Sequence, residues 1–389
     1  MDKKKIPNIR FKGFIEPWEQ RKLGDIYTFK YGEFNNNPDN SGKYPIYGAN
    51  GIIGGYTDWN AENSSVIGHM GAYAGTVLWG EGKHFVTYNG TIAKPIDDSL
   101  DSKFGYYLLY AKNINRICAG SGLPFLSYEQ LKKMDVIYPN NIIEQKKIRD
   151  FFTKIDDFIT LHQRKLEYFK KVKEGLLQKM FPKNEEKVPN IRFKGFNEPW
   201  EQRKLGEIGT TFSGLSGKTK DDFGHGDAKF ITYMNVFSNP ITILSGVESI
   251  EVDNKQSTVK YGDILFTASS ETPDEVGMSS VWLGNSENTY LNSFCFGFRP
   301  IEKFNPYYLA YMLRSPIIRN NFKLLAQGIS RYNISKNKVM DMEVFIPSIE
   351  EQKQIGNFFH KLDNLISLHQ RKLEKLQNIK KSCLEKMFV

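Results

Sequence analysis

The densest cluster of recognition chemistry in this 389-residue chain is Gln327-Gly328-Ile329-Ser330-Arg331-Tyr332-Asn333. It offers amides, hydroxyls, a guanidinium and a flexible glycine in one short segment. Such groups suit recognition by hydrogen bonds. A guanidinium can grip guanine bidentately, and Asn or Gln can do the same for adenine. An earlier segment of similar place, Gly120-Ser121-Gly122-Leu123-Pro124-Phe125, has no Arg or Asn. The candidates there are Lys43, Tyr47, Asn50, His69, Tyr73, Lys83 and Asn89, together with Ser121. Tyr233, Asn235, Ser269 and Ser270 join the later segment. Lys218 and Lys220 suit phosphate contacts, which position a nucleic acid without specifying its sequence.

Bond-making chemistry is not legible. Asn305-Pro306-Tyr307-Tyr308 resembles the Asn-Pro-Pro-Tyr motif of adenine N6 methyltransferases but lacks its second proline. Asn305 can cap a helix with Pro306 at its first position, so the segment reads as a helix start. Its counterpart in the first half is expected to be Phe104-Gly105-Tyr106-Tyr107. Gly214 to Thr219 would need a glycine at position 212 to be a phosphate-binding loop, and that position is Phe212. No Gly-rich turn for S-adenosylmethionine, no Gly-x-Ser-x-Gly and no metal-spaced His/Cys cluster is present, so neither a catalytic nor a metal site is expected. The three cysteines, Cys118, Cys295 and Cys383, are scattered and odd in number, which points to a reducing cytoplasm. The net charge of +9 suits a polyanionic partner. Met1 to Lys5 leads into no apolar run, and no stretch is long and apolar enough for a membrane span.

The elements that must position these groups are given by internal repetition. Pro7 to Gly24 and Pro189 to Gly206 differ only at Ile15 versus Asn197. Glu144 to Phe181 and Glu351 to Phe388 share 21 of 38 positions, with LHQRKLE unchanged. The layout is tag, insert, helix, twice over. The expected organisation is a first domain over 1–143, a helix over 144–181, a linker over 182–188, a second domain over 189–350 and a helix over 351–389. Phe125-Leu126-Ser127 parallels Asn333-Ile334-Ser335, and the run Tyr106 to Tyr110 parallels Tyr307 to Tyr311.

Apolar residues alternate by four and three through Ile148, Phe152, Ile155, Ile159, His162, Leu166, Phe169, Lys173, Leu176 and Met180. The second copy runs Ile355, Phe359, Leu362, Ile366, His369, Leu373, Leu376, Lys380, Cys383 and Met387. This is a coiled-coil seam, with polar residues at the same two places in each copy. The two histidines are read as seam residues that set register. Antiparallel packing of the copies would give a pseudo-twofold. A seam of this length spans roughly 50 Å, more than one turn of B-DNA at roughly 34–36 Å, so it could act as a ruler between two readers. In the inserts, Lys43 to Tyr56 reads as loop and turn. Ser65–His69, Thr76–Trp79, Asp263–Thr267, Ser280–Leu283 and Ser293–Phe298 read as strands. Ser102–Asn115 and Asn305–Asn321 read as helices.

The repeated tag, the Tyr261-Gly262-Asp263-Ile264-Leu265 strand start, the Pro347-to-Gln352 helix lead-in and the LHQRKLE helices together resemble the specificity subunit of type I restriction-modification systems over essentially the whole chain. The fold this implies is α+β: two α/β target recognition domains joined by two long antiparallel coiled-coil helices in a pseudo-twofold tandem repeat. The resemblance implies a non-catalytic subunit in which each insert reads one half of a split, asymmetric site on double-stranded DNA. It further implies docking of two methyltransferase subunits and of restriction subunits. S-adenosylmethionine, ATP and magnesium would then reside on those partners, with no cofactor in this chain. The alternative is a tandem-repeat scaffold whose inserts bind protein.

Overall fold

The computed structural model describes residues 6–34, 41–118, 124–183, 186–285 and 287–389. They form two compact units: the chain up to Gln163 together with Gln370–Val389, and Arg164–His369. The sequence repeats are thus not the compact units. The last turns of each long helix belong to the core of the unit that holds the other repeat's insert.

The first unit is built on a six-stranded sheet. Its order is Tyr27–Tyr31, Gly90–Pro95, Ala61–Gly68, Val77–Val86, Tyr44–Gly48, Gly51–Tyr56. All neighbours are antiparallel except Tyr44–Gly48, which runs parallel to Val77–Val86 through Ile46 opposite Phe85. The second unit repeats the first four positions as Gly209–Ser213, Cys295–Pro300, Ile264–Thr267, Ser279–Val281. Instead of the extra hairpin it carries a separate sheet of Val247–Ile250, Phe223–Ile231 and Thr289–Leu291.

Several local expectations change. Lys43 to Tyr56 is a paired hairpin, with Tyr44 opposite Tyr56 and Gly48 opposite Gly51. Gly48, Gly51, Gly54 and Gly55 all lie in the paired register of this hairpin, so their density did not mean irregular backbone. The helix expected over 305–321 is two helices, Pro306–Met312 and Pro316–Leu325. Pro316 has no N–H to continue the first helix, and it disfavours helical backbone at Ser315. The helix expected over 102–115 likewise ends at Ala111, and a short turn of helix follows at Asn115–Cys118.

The equivalence of the two tyrosine runs is set by their caps. Asp101 accepts from the Phe104 amide, and Asn305 from the Tyr308 amide. Tyr107 therefore corresponds to Tyr311, and Phe104 to Tyr308. This is three residues away from the match that the tyrosine strings alone suggest. Asn305-Pro306 starts a helix, and its counterpart is Asp101-Ser102.

The long helices span Ile142–Lys179 and Ile349–Met387. Within each unit they run antiparallel. In the first, Asp156 pairs with Lys380, and Phe152 meets Phe388. In the second, Asp363 pairs with Lys173, Phe359 meets Phe181, and the His369 ring stacks on Phe169. The polar seam positions Lys173 and Lys380 each meet an aspartate. Ile148, Phe152, Ile155, Leu166, Ile355, Phe359, Leu362, Leu373 and His369 are buried, while Ile159, His162 and Ile366 are half-buried.

The tag explains its own repetition. Arg10 donates to both oxygens of Glu144 at 2.7 and 2.8 Å, and Arg192 does the same to Glu351 at 2.7 and 2.8 Å. The Ile9 amide donates to the Lys386 carbonyl and the Ile191 amide to that of Lys179, each at 2.9 Å. Each tag thus satisfies an otherwise orphaned carbonyl at the end of the other repeat's helix. Gln145 accepts from the Asp101 amide and donates to the Pro139 carbonyl. Gln352 repeats both bonds with Asn305 and Pro347. The Tyr261-to-Leu265 motif is also structural, because Asp263 accepts from the Lys260 amide and from Arg299.

Candidate nucleic-acid interface

In both units the third strand of the shared sheet order ends in a loop that receives a segment from just before a short helix. The Leu126 amide donates to the His69 carbonyl at 2.8 Å, and the Ile334 amide to the Ala268 carbonyl at 3.0 Å. Met70 bridges to Phe125 as Ser269 does to Asn333. Each loop closes on a glycine with positive φ: Gly75 donates to the Gly68 carbonyl, and Gly277 to that of Thr267. Residues far apart in sequence are therefore delivered to equivalent places on a corresponding support. The groups delivered differ completely.

In the second unit the support holds the densest candidate segment. Gln327 and Asn333 exchange two backbone hydrogen bonds, at 3.0 and 2.8 Å, across a hairpin that turns at Gly328 with φ +144°. L side chains rarely adopt that backbone, so glycine is required there. Gln327, Ser330, Arg331 and Asn333 are exposed, and Tyr332 is half-buried opposite Ser270. The Arg331 guanidinium lies over the Phe294 ring at 5.8 Å. The Tyr233 hydroxyl donates to the Ser269 carbonyl at 2.7 Å, and Ser270 donates to Glu275. Tyr233, Ser269, Ser270 and Arg331 thereby line one cleft with Phe294, Glu271 and Glu275.

Two other candidates of this unit are committed elsewhere. Asn235 is buried; its amide donates to the Ile243 and Gly246 carbonyls and accepts from the Ile243 amide, so it organises a turn and presents no free edge. Lys218 pairs with Asp253 at 2.8 Å and with Asp222 at 3.8 Å. With the Lys255 amide and Gln256, it holds the Asp253 carboxyl down to about 2. A lysine so neutralised is poorly placed for phosphate. Lys220 is exposed at the neighbouring turn.

In the first unit the equivalent loop end is aromatic. His69 is buried, its ring 4.5 Å from Tyr31 and 5.9 Å from Phe125, and its Nδ1 has no partner among the described residues. Burial pushes its pKa below the usual histidine value. Tyr31 also meets Tyr128 at 4.8 Å. Tyr73 and Asn50 are exposed, and Asn89 is half-buried. Lys83 lies over the Trp59 ring at 4.3 Å, and Lys43 over Tyr44 at 5.6 Å. Tyr47 is buried against His84, and burial raises its pKa, so its ring belongs to the core. Ser121 lies outside the described residues. Sequence reasoning passed over Tyr31, Phe125, Tyr128 and Phe294. The one available signal was that Phe125 stands in the segment parallel to Asn333.

Among the described residues no group of three or more His, Cys, Asp or Glu could hold a metal ion, and no helix is long and apolar enough to cross a membrane.

The family described as the type I restriction modification DNA specificity domain matches residues 15–170 and again 197–378. A putative type I restriction enzyme specificity subunit of Methanocaldococcus jannaschii, MjaX, is 31% identical over 202 residues, covering 49% of this chain and 46% of that protein. This chain thus aligns with about half the length of that relative. The MjaVIII specificity subunit of the same organism is 22% identical over 394 residues, covering 95% of this chain and 91% of its own length. The crystal structure of a type I restriction-modification S subunit from M. genitalium superposes with a TM-score of 0.68 at 16% identity, covering 99% of both chains. That likeness establishes the fold.

Proposed function

The chain belongs to the type I restriction-modification specificity family, and from that premise we propose that its two inserts read the two halves of a split, asymmetric sequence in double-stranded DNA. The observation that carries this reading is one support built twice around two unlike loop ends. Identical positioning with different hydrogen-bonding groups suits reading different bases from a common frame. The net charge of +9 adds the attraction to phosphate that any such reader needs.

The long helices serve as the docking frame for two copies of a methyltransferase subunit, and restriction subunits join that assembly. Supporting this is a pair of exposed apolar residues that recurs at the same repeat positions: Phe158 and Leu161 on the first helix, Leu365 and Leu368 on the second. Seam packing does not use them, and equal patches suit equal partners. The chemistry then lies with the partners, which carry S-adenosylmethionine, ATP and Mg²⁺. This chain selects the site. The target adenine is extruded into the partner's pocket, because its amino group is unreachable inside the stack.

The test is a single-molecule methylation map of DNA from cells co-expressing this chain with its cognate methyltransferase subunit, against cells lacking this chain. The expected result is N6-methyladenine at a split motif only when the chain is present. Replacing residues 207–350 by another recognition insert should change one half of the motif. A partner that is active with another specificity subunit but yields no motif with this one would return the scaffold reading.

A further inference from the structure

We propose that Arg331 reads a guanine in the half-site of the second insert, and that this arginine-borne requirement for guanine has no counterpart in the first. The proposal rests on the DNA-reading function given above.

It starts from how the second insert uses its arginines. Four lie between residues 207 and 350: Arg299, Arg314, Arg319 and Arg331. Arg299 is bound to Asp263 by two hydrogen bonds. Arg314 donates to the carbonyls of Ser279, Val236, Phe237 and Asn239. Arg319 donates to those of Gly277, Asp274 and Val276. All three are staples of the fold. Arg331 is exposed, and its one contact among the described residues is the Phe294 ring at 5.8 Å. Its donors are therefore available, while the ring restrains the guanidinium plane.

The hairpin under it is not a loose loop. Two backbone bonds close it, Asn333 pairs with Ser269, and the Ile334 amide is tied to the Ala268 carbonyl. A recognition group on a braced support keeps its geometry better than one on a free loop. The surroundings choose between base and phosphate. Glu271 and Glu275 line the same cleft. A phosphate there would meet two carboxylates and be repelled, whereas a neutral base edge would not. The planar fork of an arginine matches O6 and N7 of guanine in the major groove.

The first insert, residues 25–143, contains one arginine, Arg116. It lines a groove with Lys380 and Lys381 at the end of the second long helix. Residues 119–125, which lead into the equivalent segment, include none.

The experiment is the same methylation map repeated with R331A and R331Q. The expected wild-type motif has a guanine in one half-site that R331A relaxes to other bases at that single position, with discrimination falling about tenfold or more. R331Q should shift the preference there toward adenine, which a structural role would not produce. The other half-site should stay unchanged in both variants. Should methylation vanish in R331A, purified complexes of the chain with its methyltransferase subunit are titrated against duplexes carrying each base at that position. The wild type must discriminate there and R331A must not. A uniform fall across all sequences with the motif intact would mean a phosphate contact and overturn the proposal. So would a variant-sensitive position that is not guanine. A wild-type chain that directs no motif at all fails the function itself, and is distinguishable from either.

Discussion

Asp156 and Asp363 occupy the same repeat position and meet the same company. Each accepts from a tyrosine hydroxyl, Tyr107 at 2.9 Å or Tyr311 at 2.8 Å, and each pairs with a lysine from the opposite long helix. The loop ends share no such sameness. One packs His69 between Tyr31 and Phe125; the other presents Arg331 over Phe294 on a closed hairpin. Four backbone bonds at the base of the two loops nevertheless correspond, those of the Gly68, His69, Gly75 and Leu126 amides with those of Thr267, Ala268, Gly277 and Ile334. Side-chain sameness is confined to the frame, and backbone sameness extends to the base of the loops. The frame therefore carries stability, and the side chains at the loop ends are free to differ without cost to the fold.

The comparison breaks most readily at the tag. Glu144 and Glu351 are almost fully buried, so removing the arginine strands a charge. R192A should destabilise the second unit by about 3–5 kcal/mol. R10A should cost the first unit about 1 kcal/mol less, because the Trp18 Nε1 also donates to Glu144 at 3.3 Å. Trp200 has no such acceptor among the described residues. Hydrogen exchange in Ala61–Gly68 and Ile264–Thr267 reports each unit separately. Equal losses would show that the tryptophan bond adds nothing.

Docking is the next test of sameness. F158E and L365E should each cost one partner contact about 2 kcal/mol, roughly 30-fold in affinity. Mass measurement of the co-expressed complex should then show one methyltransferase subunit in place of two. Loss of both from a single substitution would mean that the two patches form one site.

Within the frame, Y311F removes one hydrogen bond, and Y107F removes the equivalent bond together with a longer one to the Thr153 hydroxyl at 3.4 Å. Their aspartates keep their lysines, so about 1 kcal/mol should be lost in either unit. Unequal values, read by the same exchange experiment, would show that the first and second frames are not interchangeable.

Much of this architecture is legible in the amino-acid order itself. The seam can be read because a helix repeats its buried stripe at every turn, and two copies of one stripe leave little ambiguity. The parallel between Phe125 and Asn333 is also readable, since both stand before a short helix start. Local register and local commitment are not. The tyrosine runs match by residue type in one register, whereas Asp101 and Asn305 set another from outside them. Asn235 and Lys218 have the right chemistry for DNA, but their partners, Ile243, Gly246 and Asp253, are distant enough in sequence to hide that they are occupied. The exchange of helix ends is hidden for a similar reason. Phe388 closes the core around Trp18, and Phe181 the core around Trp200, over separations that no periodicity reports.

The smallest expected difference between the units is in acid. His69 and His84 both lie in the first unit, and burial lowers the pKa of each. For His84 the Gly82 carbonyl opposes that shift and Lys94 adds to it, while Glu62 opposes it weakly. Its ring is satisfied when neutral, with Nδ1 donating to Gly82 and Nε2 accepting from Ser64. As pH falls through about 6.5 the unfolded chain takes up protons that the folded unit resists. The stability these histidines contribute is therefore present above that value and is lost below it. Between pH 7.5 and 6.5 the loss should be only about 0.3 kcal/mol per histidine, steepening further down. Exchange in Ala61–Gly68 should accelerate relative to Ile264–Thr267 over that range, after correction for the intrinsic pH dependence of exchange. H84Q should reduce the difference by about half. If both strands respond alike, the buried histidines do not govern the acid response, and the two units share one titrating cause.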